Sequence, residues 1–147
     1  MSVTLDKRIL QALIAVVGLI ASGAVIAECP DPVGRWTGTF QTYIAEGDAS
    51  PMEPAAEVWA VRIKADGTFR WRIRASVHGY RESEVDNGTW HVDRMTGSCM
   101  LHLYTATDYI FTTVEGPFVN KNTLELTVQD PIPPLRSGLG TLKRVTF

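Results

Sequence analysis

The sequence predicts an all-β protein, an eight-stranded antiparallel up-and-down β-barrel behind an apolar N-terminal segment. Three observations carry that expectation. Apolar and polar residues alternate with period two in run after run, as in Trp59, Val61 and Ile63 against Arg62 and Lys64. Short Gly-, Asn- and Asp-containing turns separate the runs, which favours antiparallel neighbours over parallel crossovers. After residue 27 no segment carries a strong helical period. Eight antiparallel strands that close on themselves remove both sheet edges, and eight is about the number whose interior is filled by side chains or one small ligand.

Residues 1–27 differ from the rest. Lys7 and Arg8 precede an apolar run from Ile9 to Ala27 interrupted only by Gln11 and Ser22, with small residues toward its end. This is the pattern of a secretory signal peptide cleaved after Ala27. The competing reading is an uncleaved anchor, since 19 residues barely suffice to span a bilayer. Membrane contact is expected only through this segment. Glu28, immediately before Cys29, stands where lipid attachment needs a small residue. The mature domain is therefore expected at 28–147, exported to the periplasm or the cell exterior.

The 147-residue chain carries a formal net charge of −2, and removing Lys7, Arg8 and Asp6 with the first segment leaves −3. That gives solubility and no case for nucleic acid, which calls for a clearly basic domain. About 120 residues suffice for one core. The two cysteines, Cys29 and Cys99, are expected to pair in an oxidising compartment, the alternative being two buried free thiols.

Strands are expected at 34–43, 57–65, 68–77, 83–93, 98–105, 109–115, 123–129 and 139–147. In the first, Trp36, Gly38 and Phe40 alternate with Arg35, Thr37 and Thr39. Residues 45–57, rich in Gly, Ser, Asp and Pro, form the longest expected loop. Asp66-Gly67 makes a tight hairpin turn, after which Phe69, Trp71 and Ile73 point inward and Arg70, Arg72 and Arg74 outward. That arginine row is expected to be a solvated face balanced by Glu82, Glu84 and Asp86. Trp90 and Val92, then Cys99, Leu101 and Leu103, continue the alternation. Gly116-Pro117 is expected to end the sixth strand, and Pro131 to Pro134 to precede the last.

Gly34-x-Trp36 at the start of the first of eight strands resembles the lipocalin-like (calycin) barrels. That resemblance implies a late arginine packed across the early tryptophan, and Arg144 in Leu142-Lys143-Arg144-Val145 matches it. Gly34, Trp36 and Arg144 would then close the barrel through a cation–π contact. It also implies a loop covering a cup, at 45–57. The lipocalin middle signature and the helix before the last strand are not evident.

No catalytic residues are expected, and no cofactor. Ser50, Ser76, Ser83, Ser98 and Ser137 lie outside any G-x-S-x-G elbow. The acids 82, 84 and 86 share a face but read as solubility. His78, His91 and His102 show no zinc spacing, His91 and His102 fall on the outer face by alternation, and no metal site is expected. The expected function is non-enzymatic: binding of a small apolar or amphiphilic ligand in the barrel, lined by Trp59, Trp71, Trp90, Tyr104 and Tyr109. The alternative is an envelope protein-interaction module with a filled core, acting through a loop or the arginine face.

Overall fold

The computed structural model describes residues 28–45, 47, 49–77, 80–95, 97–106, 111–131 and 135–147; of 77, 80–83, 95, 106 and 111 it describes the backbone. The expected signal segment, 1–27, lies outside the described residues, as do His78 and Tyr109.

Eight strands run in chain order: β1 (Gly34–Ala45), β2 (Glu53–Ile63), β3 (Thr68–Val77), β4 (Tyr80–Met95), β5 (Ser98–Ala106), β6 (Phe111–Asn120), β7 (Thr123–Asp130) and β8 (Leu135–Arg144). Each pairs antiparallel with the next, and β1 pairs with β8, so the sheet closes into a barrel. No described residue is helical.

Four expectations about element bounds are corrected. β2 starts at Glu53, so the loop expected at 45–57 shrinks to 46–52 and Pro54 is a strand residue facing Tyr43. Among the described residues the pairing of β2 with β3 begins at Ala56, beyond Pro54. β6 continues through Gly116-Pro117. Both residues stay in register with β5, and the register with β7 resumes at Phe118 with an irregularity before Asn120. β8 begins at Leu135, four residues early. β4, too, starts early, at Tyr80, and passes through Asn87-Gly88 in unbroken register with β3.

Period two puts the core in the lumen. Trp36, Phe40, Trp59, Val61, Ile63, Phe69, Trp71, Ile73, Leu101, Leu103, Val114, Leu124, Leu126, Val128 and Leu142 are all buried, with Trp90, Val92 and Phe118 packed against them. Burying each large apolar side chain stabilises the fold by about 1.5–3 kcal/mol. The aromatic residues form a contiguous stack: Phe40 lies 4.2 Å from Trp59 and nearly parallel, Trp59 5.0 Å from Trp71, and Trp71 4.9 Å from Phe69. Gly140 makes room for this stack. A Cβ there would stand about 2.2 Å from the Phe40 ring, so only glycine lets Phe40 lie against β8.

One end of the barrel is sealed. It holds the starts of β1, β3, β5 and β7 and the ends of β2, β4, β6 and β8. The Arg144 guanidinium sits 4.4 Å over the Trp36 ring. It donates hydrogen bonds to the carbonyls of Val33 (2.7 Å), Lys121 (3.2 Å) and Asp31. Trp36 Nε1 donates to Pro32 O at 2.8 Å. Gly34 has φ +144°, and a Cβ there would come within 3.0 Å of the Arg144 guanidinium, so glycine is needed on both counts. Cys29 and Cys99 form a disulfide beside this closure, tying the lead-in to the first turn of β5. A disulfide is compatible with an oxidising compartment.

Candidate functional site

The opposite end of the lumen is built differently. Small residues line it: Ala45, Ala55 and Ala75, with Thr42, Thr105 and Thr112, all buried. Among them sits a cluster of acidic and basic side chains. Glu57 follows the inward parity of Trp59, Val61 and Ile63 on β2, and its side chain is fully buried. Arg136 enters from β8, Asp130 from the end of β7 and Glu84 from β4.

Arg136 organises the cluster. Its Nε lies 3.1 Å from Glu57 Oε1, its Nη2 donates to Glu84 Oε2 at 3.1 Å, and its Nη1 lies 3.5 Å from Asp130 Oδ2. The other Glu57 oxygen accepts a 2.7 Å hydrogen bond from Trp59 Nε1. The charged cluster thus rests directly on the aromatic stack. Three carboxylates face one guanidinium, which leaves the group net negative. Burial pushes the Asp130 carboxyl above its ordinary value, outweighing the opposing influence of Thr112 and Arg136. For Arg136 burial acts downward, but Glu57, Glu84 and Asp130 together hold the guanidinium above its ordinary value, firmly charged.

Hydrogen bonding in this half of the lumen is incomplete among the described residues. Glu57 Oε1, Asp130 Oδ1, Arg136 Nε and Nη1, and Thr112 Oγ1 are buried without a hydrogen-bond partner. So are Trp71 Nε1 and Asp86 Oδ2, whose residues face each other across β3 and β4. Glu57 Oε1, Arg136 Nε and Arg136 Nη1 still take part in the ion pairs above, so the cost of an unmatched buried polar atom, about 1–3 kcal/mol, is partly offset there. The unmatched atoms come from six of the eight strands and include both acceptors, the carboxylate oxygens, and donors, the Arg136 and Trp71 nitrogens, so this half of the lumen is lined by polar atoms of both kinds. On the outer surface near this end a cleft of about 330 Å³ lies beside Asp130 and Arg136, lined also by Met52 and by the outward-facing Thr113, Gln129 and Ser137.

The aromatic residues singled out in the sequence divide between locations. Trp59 and Trp71 are in the lumen, the first bonded to the cluster. Trp90 is at the sealed end, its Nε1 donating to Lys64 O at 2.7 Å. Tyr104 is on the outer surface, 42% exposed, because Leu101, Leu103 and Thr105 take the inward parity of β5. Of the acids expected to balance the arginine row, the Glu82 side chain lies outside what is described, and the other two do otherwise. Glu84 and Asp86 turn inward, and Glu84 pairs with Arg136. Glu57, Asp130 and Arg136 were not anticipated, although each continues the inward parity of its strand.

The arginine row is an outer face, as expected. Arg35 faces Arg62 across β1 and β2, and Arg62 faces Arg70 across β2 and β3. A groove of about 690 Å³ runs over this face, lined by Arg35, Arg62, Arg70 and Arg72 with Val85 and Phe147. Those four arginines have no ion-pair partner among the described residues.

His91 and His102 are also on the outer face, yet not apart. The β4–β5 register places them directly opposite each other, with their rings stacked 4.6 Å apart and Asp93 beside both.

No family model matches the sequence, and no curated protein matches it. Among solved structures, an S-type phycobiliprotein lyase from Guillardia theta is similar at 13% identity and a TM-score of 0.43, covering 79% of this chain and 89% of that one.

Proposed function

We propose that this protein is a non-enzymatic, exported binding barrel that holds a small amphiphilic ligand at the charged end of its lumen. The observation that carries the reading is the net-negative, incompletely hydrogen-bonded cluster of Glu57, Glu84, Asp130 and Arg136, set on an aromatic floor among alanines and threonines. Such a site asks for a ligand with two parts. An apolar part meets Trp59, Trp71 and the small side chains. A head group that is cationic or rich in hydrogen-bond donors meets the carboxylates of Glu57, Glu84 and Asp130, which outnumber the one guanidinium they share, where an anionic head would be repelled. The disulfide and the leader-like segment support a site of action in the periplasm or outside the cell.

Native mass spectrometry of the protein purified from its own source tests this. A stoichiometric small-molecule adduct is expected, and Glu84→Gln is expected to weaken its retention. A barrel without adduct that copurifies with an acidic protein would instead favour a second reading, an envelope interaction module docking on the arginine groove. The facing arginine pairs favour that second reading: like charges opposite each other are destabilising in a sheet unless a partner neutralises them.

A further inference from the structure

The outer face of β4, β5 and β6 carries a set of side chains that the lumen reading leaves unused. His91 Nε2 lies 3.2 Å from Asp93 Oδ2, and His102 Nε2 lies 3.4 Å from the same oxygen. All three ligand atoms fall within 4.8 Å of one another. Ligands held at about 2.0–2.2 Å around a tetrahedral zinc ion stand roughly 3.3–3.5 Å apart. Two of the three separations are close to that; the rings are stacked within 8° of parallel, so the exposed His91 ring must rotate out of the stack for its lone pair to converge with that of His102.

The surroundings of His102 point the same way. Its Nδ1 lies 3.0 Å from Glu115 Oε2, directly across the β5–β6 pair. In the neutral imidazole that contact places the proton on Nδ1, leaving the Nε2 lone pair free on the side of Asp93. A carboxylate that orients a histidine in this way is the usual outer support of a metal-bound imidazole. His102 Nε2 is itself buried without a hydrogen-bond partner among the described residues. A lone pair that is aimed, buried and unmatched is what a bound cation would satisfy.

We propose that His91, Asp93 and His102 bind one divalent transition-metal ion of the zinc and copper class, with Glu115 as the positioning residue for His102. Two imidazoles and one carboxylate suit zinc and copper better than calcium or magnesium, which take oxygen ligands. Three protein ligands leave at least one coordination position facing solvent, so the ion binds with water and can accept a ligand atom from a partner. The site is on the outside of the barrel and is independent of the lumen reading.

Titration of the full-length protein, without a histidine tag, with zinc chloride tests this by calorimetry and by histidine ring NMR. One ion per chain is expected at neutral pH, with shifts confined to the rings of His91 and His102. His102→Gln should reduce affinity at least a hundredfold, and Glu115→Gln about 10- to 100-fold. Copper(II) should displace zinc, following the general order of divalent affinities. Near-ultraviolet circular dichroism, unchanged in these surface variants, separates lost ligands from lost fold. Absence of binding, binding that survives His91→Ala with His102→Gln, or binding abolished only by His78→Gln would overturn the proposal. An unchanged affinity in Glu115→Gln would overturn the role given to Glu115.

Discussion

The two ends of this barrel solve the problem of a lumen mouth in opposite ways. At the sealed end, bulky side chains fill the space, and Arg144 closes it with one guanidinium stacked on Trp36 and hydrogen-bonded to carbonyls of the lead-in and of the β6–β7 turn. At the other end, alanines and threonines leave the wall shallow, and Arg136 is set among three carboxylates with several polar atoms unmatched. The same residue type thus acts once as a stacked lid satisfied by neutral acceptors and once as the hub of a buried ion cluster. The difference teaches where stability and function separate. A stacked, satisfied closure has nothing left to bind, whereas an unsatisfied cluster carries a standing cost that a ligand can offset.

Substitutions at each end sharpen that contrast. Trp36→Ala removes the largest fully buried side chain at the closure and should destabilise by about 3–5 kcal/mol in urea unfolding. A near-neutral result would mean that the closure is not where the barrel is held. Arg136→Met should cost about 3 kcal/mol, because the buried Glu57 carboxylate loses its counter-charge. Combining it with Glu57→Gln should recover part of the loss; a strictly additive double variant would show that charge is not what the cluster balances.

The smallest effect has the opposite sign. Burial raises the Asp130 carboxyl above its ordinary 3.8. Between that value and the raised one the folded chain keeps a proton that the unfolded chain releases, so stability falls as pH rises through the window. Asp130→Asn removes this term. The variant should gain a little over the natural protein at pH 7 and nothing below pH 3.8, read as the difference in urea midpoints at the two pH values. A gain equal at both would place the effect in packing.

Alternation made most of the fold legible. Trp59, Val61 and Ile63, or Phe69, Trp71 and Ile73, declare their strand and their face without help, and Gly34-x-Trp36 with Arg144 placed the closure. The charged end was hidden because a hydrophobic pattern stops at its first charge. Glu57 is one more step of the Trp59–Ile63 row, and Asp130 one more step of Leu124, Leu126 and Val128. Reading period two through the charged residues would have put both in the lumen. Glu84 and Asp86 keep the parity of Trp90 and Val92 only if Asn87-Gly88 is straight strand, which a turn-forming pair argues against. The histidine pair was lost to register: ending the hairpin at residues 93 and 98 offsets the strands, while the actual Met95–Ser98 pairing sets His91 against His102.

The disulfide has a mechanical consequence. A pull on chain upstream of Cys29 passes through the bridge to Cys99 at the start of β5 and then along β5 to β8 toward the C-terminus. The 70-residue span between the cysteines, which contains β1 to β4 with Trp36, Glu57 and the arginine face, forms a slack covalent loop off the line of force. Tension between the termini would therefore peel β8, with Arg136 and Arg144 on it, away from β1 and leave the first four strands without direct load. Only with the bridge reduced would the same force enter at Gly34 and unzip β1 from β8, one hydrogen-bonded pair at a time.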